Sequence, residues 1–230
     1  MNMRLNKALA EAGVAARRTC DHLIFSGKVA VNGTVCKRPQ TQIESTDKIT
    51  VDGKPIDSQK KVYFIMNKPR GFECTHKRPI GKKIVYDLLS EHHSRLFSVG
   101  RLDRDTTGLL ILTNDGDFAN QIIHPSSNIT KEYLVKTDAE ITHEHLVTMS
   151  HGIEIEGVFV QPKKVKKVRR NTFKISVKEG KKREVRLIAA AADLEVLELK
   201  RIRIGNLELG NLPEGAVQPL SEKQKASLTN

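Results

Sequence analysis

Aromatic side chains are scarce in this chain. Its 230 residues include no tryptophan, three tyrosines and seven phenylalanines. With no RNP-type string, that is too few for an RNA-recognition motif that stacks bases on a sheet. Cysteine is scarce as well. Cys20, Cys36 and Cys74 are odd in number, far apart and form no Cys-x-x-Cys pair. That argues against a disulfide framework or a zinc knuckle and fits a reducing cytoplasm. No apolar run approaches the ~18 residues of a membrane helix. The opening MNMRLNKALAEAGVAARR lacks the apolar block and small-residue cleavage site of a secretion signal, so a cytoplasmic protein is expected. The eight histidines are scattered; His92-His93 and His143-x-His145 lack a third ligand at metal spacing and read as surface or capping residues.

Acidic residues are outnumbered: 27 Asp and Glu against 39 Lys and Arg leave a formal charge of +12. A chain this basic favours a polyanionic partner, most simply nucleic acid. The excess is unevenly placed. Residues 1–61 carry 11 basic and 6 acidic residues, residues 62–159 carry 11 and 13, and residues 160–203 carry 15 and 5. Two cationic flanks around a near-neutral centre predict two separate polyanion contacts, the second beside the cleft proposed below.

The first segment reads as a small module, spanning 1–58. Leu5, Leu9, Ala12 and Val14 give a short amphipathic helix that stops near Gly13, and a second is expected from about Arg17 to Phe25. Val29 and Val31 then alternate with Lys28 and Ala30 before Asn32-Gly33, a strong hairpin signal. Asp52-Gly53 repeats that turn chemistry, and Asp57 to Lys61 reads as a linker. Two helices can present Arg4, Lys7, Arg17, Arg18 and Lys28 to phosphate oxygens while the hairpin braces them. The string RLNKALAEAGVAARR…IFSGKVAVNG resembles the RNA-binding module of a small-subunit ribosomal protein, the alpha-L motif. Ala16 stands where that family often has a serine, so Thr19 or the preceding backbone is expected to cap the second helix.

Residues 62–220 read as one larger body, with 221–230 as a C-terminal tail. Strands are expected from Val62 to Met66, Leu109 to Thr113, Lys131 to Thr137 and Phe173 to Val177. Short helices are expected from Phe118 to His124, with Asp117 as cap, and from Lys182 to about Ala192. Strands joined by hairpins and occasional helices predict an α+β fold with a mixed, largely antiparallel sheet.

The sharpest string is Gly100-Arg-Leu-Asp-Arg-Asp-Thr-Thr-Gly-Leu-Leu. It places a carboxylate between two arginines in a polar turn that runs into an apolar strand. Neighbouring cations favour the ionised carboxylate that a nucleophile or base requires; a surface ion pair at a turn fits the same residues. The string resembles the signature of pseudouridine synthases, with Asp103 at the position of their catalytic aspartate. Asn67-Lys-Pro-Arg-Gly resembles that family's first motif, where a Lys-Pro turn lies beside the cleft, and would otherwise be an ordinary Pro-Gly turn. Lys131-Glu-Tyr-Leu-Val resembles the motif supplying an active-site tyrosine, Tyr133, whose ring can stack on a base taken out of its helix; a lone strand tyrosine is otherwise more often core. Glu179-Gly-Lys-Lys-Arg-Glu-Val-Arg-Leu resembles the motif whose arginine, Arg186, partners the aspartate. Arg183 and Arg186 are three apart and would share a helix face. Lys181, Lys182 and Arg183 crowd the start of that helix, where the dipole disfavours cations unless an anion such as phosphate is gained. Leu187 stands where the family often has a second basic residue.

These strings, with Leu199-Lys-Arg-Ile-Arg-Ile-Gly near the end, resemble in order the bacterial ribosomal RNA pseudouridine synthases of the RsuA type, including their large-subunit branches. The resemblance implies a cofactor-free, metal-free isomerisation of a uridine in RNA. The C1′–N1 bond breaks, the uracil turns, and C5 joins C1′. It implies catalytic roles for Asp103, Tyr133 and Arg186, and substrate contacts from Arg101, Lys68 and Arg183. Asp103 attacking C1′ and Asp103 removing the C2′ proton fit the residues equally. The implied partner is ribosomal RNA or a pre-ribosomal particle, with neither DNA nor membrane, and a monomer is the default. One rival is a non-catalytic RNA-binding, ribosome-associated protein, which explains the charge but not the meeting of Asp103, Tyr133 and Arg186. Another is a metal-dependent nuclease using Asp103, Asp105, Asp115 and Asp117, although turn and capping roles suit those carboxylates better.

Overall fold

The computed structural model describes residues 2–89, 95–178 and 180–228, so His92-His93 and Glu179 lie outside the described residues. The chain divides into two compact units. One holds residues up to Val62, with short pieces at 92–96 and 114–116. The other holds Tyr63–Glu91, Phe97–Thr113 and Asp117–Asn230.

The first unit opens with helices α1 (Leu5–Glu11) and α2 (Arg17–Phe25). Their spacing of apolar residues buries Leu5, Ala8, Leu9, Cys20 and Ile24 in one cluster with Val29, Ile43 and Ile49. Asn6, itself buried, donates from Nδ2 to Asp21 Oδ1 at 2.7 Å and ties the two helices together. A four-stranded antiparallel sheet follows, in which β1 (Val29–Val31) pairs with β2 (Thr34–Val35) and β3 (Ile49–Val51), and β3 with β4 (Lys54–Pro55). Both turns have the expected chemistry: Asn32-Gly33 and Asp52-Gly53 all have positive φ, which a two-residue hairpin loop of the favoured hand requires. No side chain caps α2; Ala16, in extended conformation, precedes it. Thr19 lies inside the helix and does not cap it.

The second unit is built on a nine-stranded sheet. Its strands here are β5 (Tyr63–Lys68), β8 (Phe97–Val99), β9 (Thr106–Thr113), β10 (Lys131–Thr137), β11 (Lys164–Arg169), β12 (Thr172–Val177), β13 (Val196–Ile204), β14 (Leu207–Glu208) and β15 (Val217–Pro219); β6 (Phe72–Glu73) and β7 (Lys83–Ile84) form a separate parallel pair. The main path runs β11-β12-β10-β13-β9-β5-β15, with β8 on β9 and β14 on β13. Every pairing in it is antiparallel except β9 with β13. The mixed, largely antiparallel α+β architecture is therefore as expected.

Helices cover the sheet in two places. On one face α4 (His143–His151) and α5 (Glu184–Ala190) contribute Met149, Val185, Ile188 and Ala189 to a cluster with Val135, Phe173, Ile175 and Leu199 of the strands. Elsewhere α3 (Gly116–Ile123) brings Phe118, Ala119 and Ile122 against Ile65, Leu109 and Ile111. The stretch 221–230, expected as a tail, instead carries α6 (Glu222–Ser227), capped by Ser221, and its Leu228 is buried in that second cluster. The sequence there is polar, and one leucine at its end supplies the anchor.

Candidate active site

The Asp103 carboxylate sits at the first position of a tight turn: the Asp103 carbonyl accepts the Thr106 N–H at 3.1 Å, and Thr106 opens β9. The segment is fixed from several sides. Leu102 is buried next to it, and the Leu102 N–H faces the Cys74 sulfur. Gly71 N–H donates to the Arg104 carbonyl at 2.8 Å. Beneath the turn lies Lys68, fully buried, whose ammonium donates to the carbonyls of Pro69 (3.1 Å), Arg104 (3.2 Å) and Thr106 (2.8 Å). Asp103 itself remains exposed. A carboxylate on an exposed but over-determined turn can meet a substrate without reorganising first.

Strand register aligns the other groups. Tyr133 on β10 lies opposite Arg201 on β13, Arg201 opposite Gly108 on β9, and Gly108 opposite Lys68 on β5. Residues directly opposite in a ladder share a face, so one row across four strands carries a tyrosine, two buried cations and a gap. The gap is required. A Cβ on Gly108 would stand 2.2 Å from the Arg201 carbonyl oxygen, and Gly108 has a φ of +104°. Arg201 donates from Nε to the Leu109 carbonyl at 2.7 Å, while its Nη2 and the Thr106 Oγ1 are buried without a partner among the described residues. Tyr133 is half-buried.

Arg186 comes from α5. Its Nη1 donates to the Val196 carbonyl at 3.0 Å, which leaves the rest of the guanidinium for other contacts. Burial holds its pKa below the usual arginine range, Arg183 adds to this, Asp103 and Asp105 oppose it, and Arg70 again lowers it. Arg186 thus lies in the field of Asp103 without an ion pair to it within 4.0 Å among the described residues. Burial likewise lowers the Lys68 pKa, opposed by Cys74, Asp105, Asp103 and Glu214. Arg70, Arg101 and Arg104 are exposed around the turn, with Arg70 Nε 3.9 Å from Asp105.

The RNA pseudouridylate synthase family model matches residues 62–191, more than half the chain, and the S4 domain model matches residues 3–49. The chain belongs to the RNA pseudouridylate synthase family. It is 37% identical to a Bacillus subtilis ribosomal large subunit pseudouridine synthase B, over 95% of this chain and 92% of that protein. It is 44% identical to a chloroplastic Arabidopsis thaliana protein named for the same class of synthase, over 90% of this chain but only 55% of that longer protein. A crystal structure of a pseudouridylate synthase superposes with a TM-score of 0.73 at 28% identity, covering 98% of this chain and 99% of that one.

Within this synthase fold three sequence expectations need correction. Lys68, expected as a substrate contact, is sealed from solvent and holds backbone instead. Arg183 lies outside α5 as its N-cap, with left-handed φ of 57°, so it does not share a helical face with Arg186. The cause is local: the buried Glu184 carboxylate accepts the Lys181 N–H at 3.0 Å and its own N–H bonds the Lys181 carbonyl, closing a turn where helix was expected. The helix that remains has seven residues, too short for the anion site inferred from its dipole. Third, the cationic stretch 160–203 does not all lie beside Asp103. Lys166, Lys174, Leu134 and Lys200 form a row across β11, β12, β10 and β13 that alternates with the Tyr133 row and so points to the opposite face.

Of the four carboxylates of the nuclease reading, the three other than Asp103 have local roles. Asp115 is buried and pairs with Lys61 at 3.1 Å, Asp117 lies in the first turn of α3, and Asp105 faces Arg70. The capping reading of His145 holds: its Nδ1 accepts the Thr142 N–H at 3.3 Å. In the S4 domain Arg4, Arg17, Arg18 and Lys28 are exposed, Lys28 lies 3.9 Å from Asp52, and Lys7 lies 3.6 Å from Glu11. Arg201 and Cys74 were not singled out from sequence. Arg201 stood in the quoted closing string, but only register shows it beside Tyr133.

Proposed function

We propose that the protein converts uridine to pseudouridine in ribosomal RNA, in the large subunit, with Asp103 as the catalytic carboxylate. The observation that supports this most is the Asp103 turn: an exposed carboxylate held by Lys68, Leu102 and Thr106 in the field of Arg186. The large-subunit assignment rests on the names of the relatives. The S4 domain grips folded RNA through Arg4, Lys7, Arg17, Arg18 and Lys28. The target nucleotide leaves its stack and its ribose comes to Asp103, which attacks C1′ or takes the C2′ proton. Tyr133 stacks on the uracil so that it rotates without escaping. Arg186 keeps the carboxylate placed, and Arg101, exposed two residues before it, contacts phosphate or the space the base vacates. C5 then joins C1′, and the C5 hydrogen is released to solvent. No electron is gained or lost, so the residues named suffice.

Release of tritium from [5-³H]uridine-labelled large-subunit ribosomal RNA tests the proposal. Wild type should release it, and Asp103→Asn should bind the RNA as tightly but release none. An active Asn variant would remove Asp103 from the chemistry. A wild type that binds and releases nothing would favour the non-catalytic RNA-binding reading.

A further inference from the structure

One half of the main sheet is buried on a single face. In β12, Phe173, Ile175 and Val177 join the cluster shared with α4 and α5, while the alternate residues Thr172, Lys174 and Ser176 are only half-buried. The same alternation runs through β11, where Val165 packs on that cluster and Lys164 and Lys166 are exposed. The open face is cationic. Register puts Lys166 directly opposite Lys174, Lys174 opposite Leu134, and Leu134 opposite Lys200. Neighbouring strands lie about 4.8 Å apart, so this row is about 14 Å long at the backbone. Beside it, Lys174, Lys200 and Arg203 border a recess of about 340 Å³ that Leu134 and Ile202 also line.

Glu132 engages both Lys174, at 3.5 Å, and Arg203. Lys164, Lys166 and Lys200 have no carboxylate within 4.0 Å among the described residues. Lys167, the next residue along β11, points to the other face and is occupied there by Glu140 at 3.3 Å. Lysines on an edge strand discourage edge-to-edge pairing, and β11 ends the sheet path, so Lys164 and Lys166 fit that role. Lys200 does not. Its strand β13 is interior, paired with β10 on one side and β9 on the other. Like charges directly opposite each other, as Lys166 and Lys174 are, also destabilise a sheet unless an anion joins them. One glutamate shared with Arg203 answers that only in part. Lysine is a compact point charge, suited to phosphate contact more than to base reading.

We propose that this open face, turned away from the Tyr133 row, binds the phosphate backbone of a second segment of ribosomal RNA, separate from the stem that carries the target uridine. A short stem seated at Asp103 meets one face of the sheet, so the second segment comes from elsewhere in the folded RNA. That the occupant is ribosomal RNA rests on the proposed pseudouridine synthesis; the contact itself lies outside it.

The test measures affinity against salt on two probes: the large-subunit ribosomal RNA transcript, and a hairpin spanning only the uridine mapped as modified. On the transcript, the combined Lys164→Gln, Lys166→Gln and Lys200→Gln variant should lower the slope of log affinity against log salt by up to about 2.7 and weaken binding roughly tenfold or more. On the hairpin it should bind as wild type does. The same three positions changed to arginine keep the charge and should restore transcript binding. Lys167→Gln, on the other face, should leave both probes unaffected. Equal losses on transcript and hairpin, or none on the transcript, overturn the second contact. So does a loss from Lys167→Gln as large as from Lys166→Gln alone, because overall charge would then explain the effect. A defect confined to assembled ribosomal particles and absent from the naked transcript assigns the face to a protein and overturns it as well. A wild type that binds the transcript but releases no tritium from it overturns the activity, and the slopes still decide the contact.

Discussion

Replacing Lys68 by Met removes a group that reaches three carbonyls around the Asp103 turn while keeping most of the side-chain volume. A hydrogen bond from a charged donor contributes about 1.5–3 kcal/mol, so three give a gross loss of several kcal/mol. Against this, removing a fully buried ammonium returns a desolvation cost also of several kcal/mol. What is not returned is the cost of leaving the Arg104 and Thr106 carbonyls short of a donor, about 1–3 kcal/mol each. The net destabilisation expected is about 2–4 kcal/mol, which in a chain of this size lowers the melting temperature by roughly 5–15 °C. Catalysis should fall further than stability explains, because a misplacement of about 1 Å at a reacting group costs around a hundredfold. Tritium release well below the melting point should therefore show kcat down by that order with KM for RNA little changed. Because Lys68 has no solvent exposure, the salt dependence of RNA binding should not move. A Lys68→Met enzyme that binds RNA more weakly with a flatter salt slope would show that Lys68 contacts phosphate and that its burial has been misread. Wild-type stability and rate together would show that the three hydrogen bonds hold nothing that matters. The pH dependence gives a second check. Burial depresses the folded-state pKa of Lys68, so between that value and about 10.4 the unfolded chain binds the extra proton. Wild type should accordingly gain stability relative to Lys68→Met as pH rises through that window, and lose the gain as pH falls.

Two further substitutions test the frame and the flank. Gly108→Ala puts a methyl against backbone atoms of Arg201 that cannot yield, at a φ of +104°. Positive-φ strain and overpacking should together cost about 2–5 kcal/mol, and a wild-type thermal melt would refute the close approach of β9 and β13. Arg17→Ala with Arg18→Ala should reduce the slope of log affinity against log salt by up to about 1.8, while single-turnover chemistry on saturating RNA stays unchanged. An unaltered slope would take these two side chains off the phosphates.

Much of the fold was legible because its signals are local. The α2 span, the Asn32-Gly33 and Asp52-Gly53 hairpins and the Lys131–Thr137 strand follow from periodicity and turn chemistry over a few residues. The misses share a different cause. β11 is the string Lys-Val-Lys-Lys-Val-Arg, whose β character comes from pairing with β12 and not from its own propensity. α5 begins later than its pattern suggests because one buried carboxylate, Glu184, closes a turn ahead of it. Lys68 looked like a surface cation because a lysine is almost never fully buried, and its three carbonyl partners come from segments up to 38 residues away. The Asp103 motif was readable as a string. The row of Tyr133, Arg201, Gly108 and Lys68 was not, because it exists only in the pairing of four strands.

That row also changes the meaning of the charge. The 15 cations of residues 160–203 read along the chain as one arm reaching toward the cleft. A strand sends successive side chains to opposite faces, so a dense cationic strand cannot act as one arm. Arg201 ends buried beside Tyr133, while Lys166, Lys174 and Lys200 end on the other face of the sheet, where Lys174 is already engaged by Glu132. Of the cations placed here on the Asp103 side, Lys68 and Arg201 are buried and bonded to carbonyls. They are too enclosed to meet a phosphate; Lys68 holds the carboxylate turn and Arg201 the strand that follows it. On the proposed function, long-range attraction of RNA to this face would fall to the exposed Arg70, Arg101, Arg104 and Arg183, which lie outside helices and strands. On that reading, buried cations that hold backbone are separated from exposed cations that would draw the substrate. Raising the salt concentration should weaken the second set and leave the first intact.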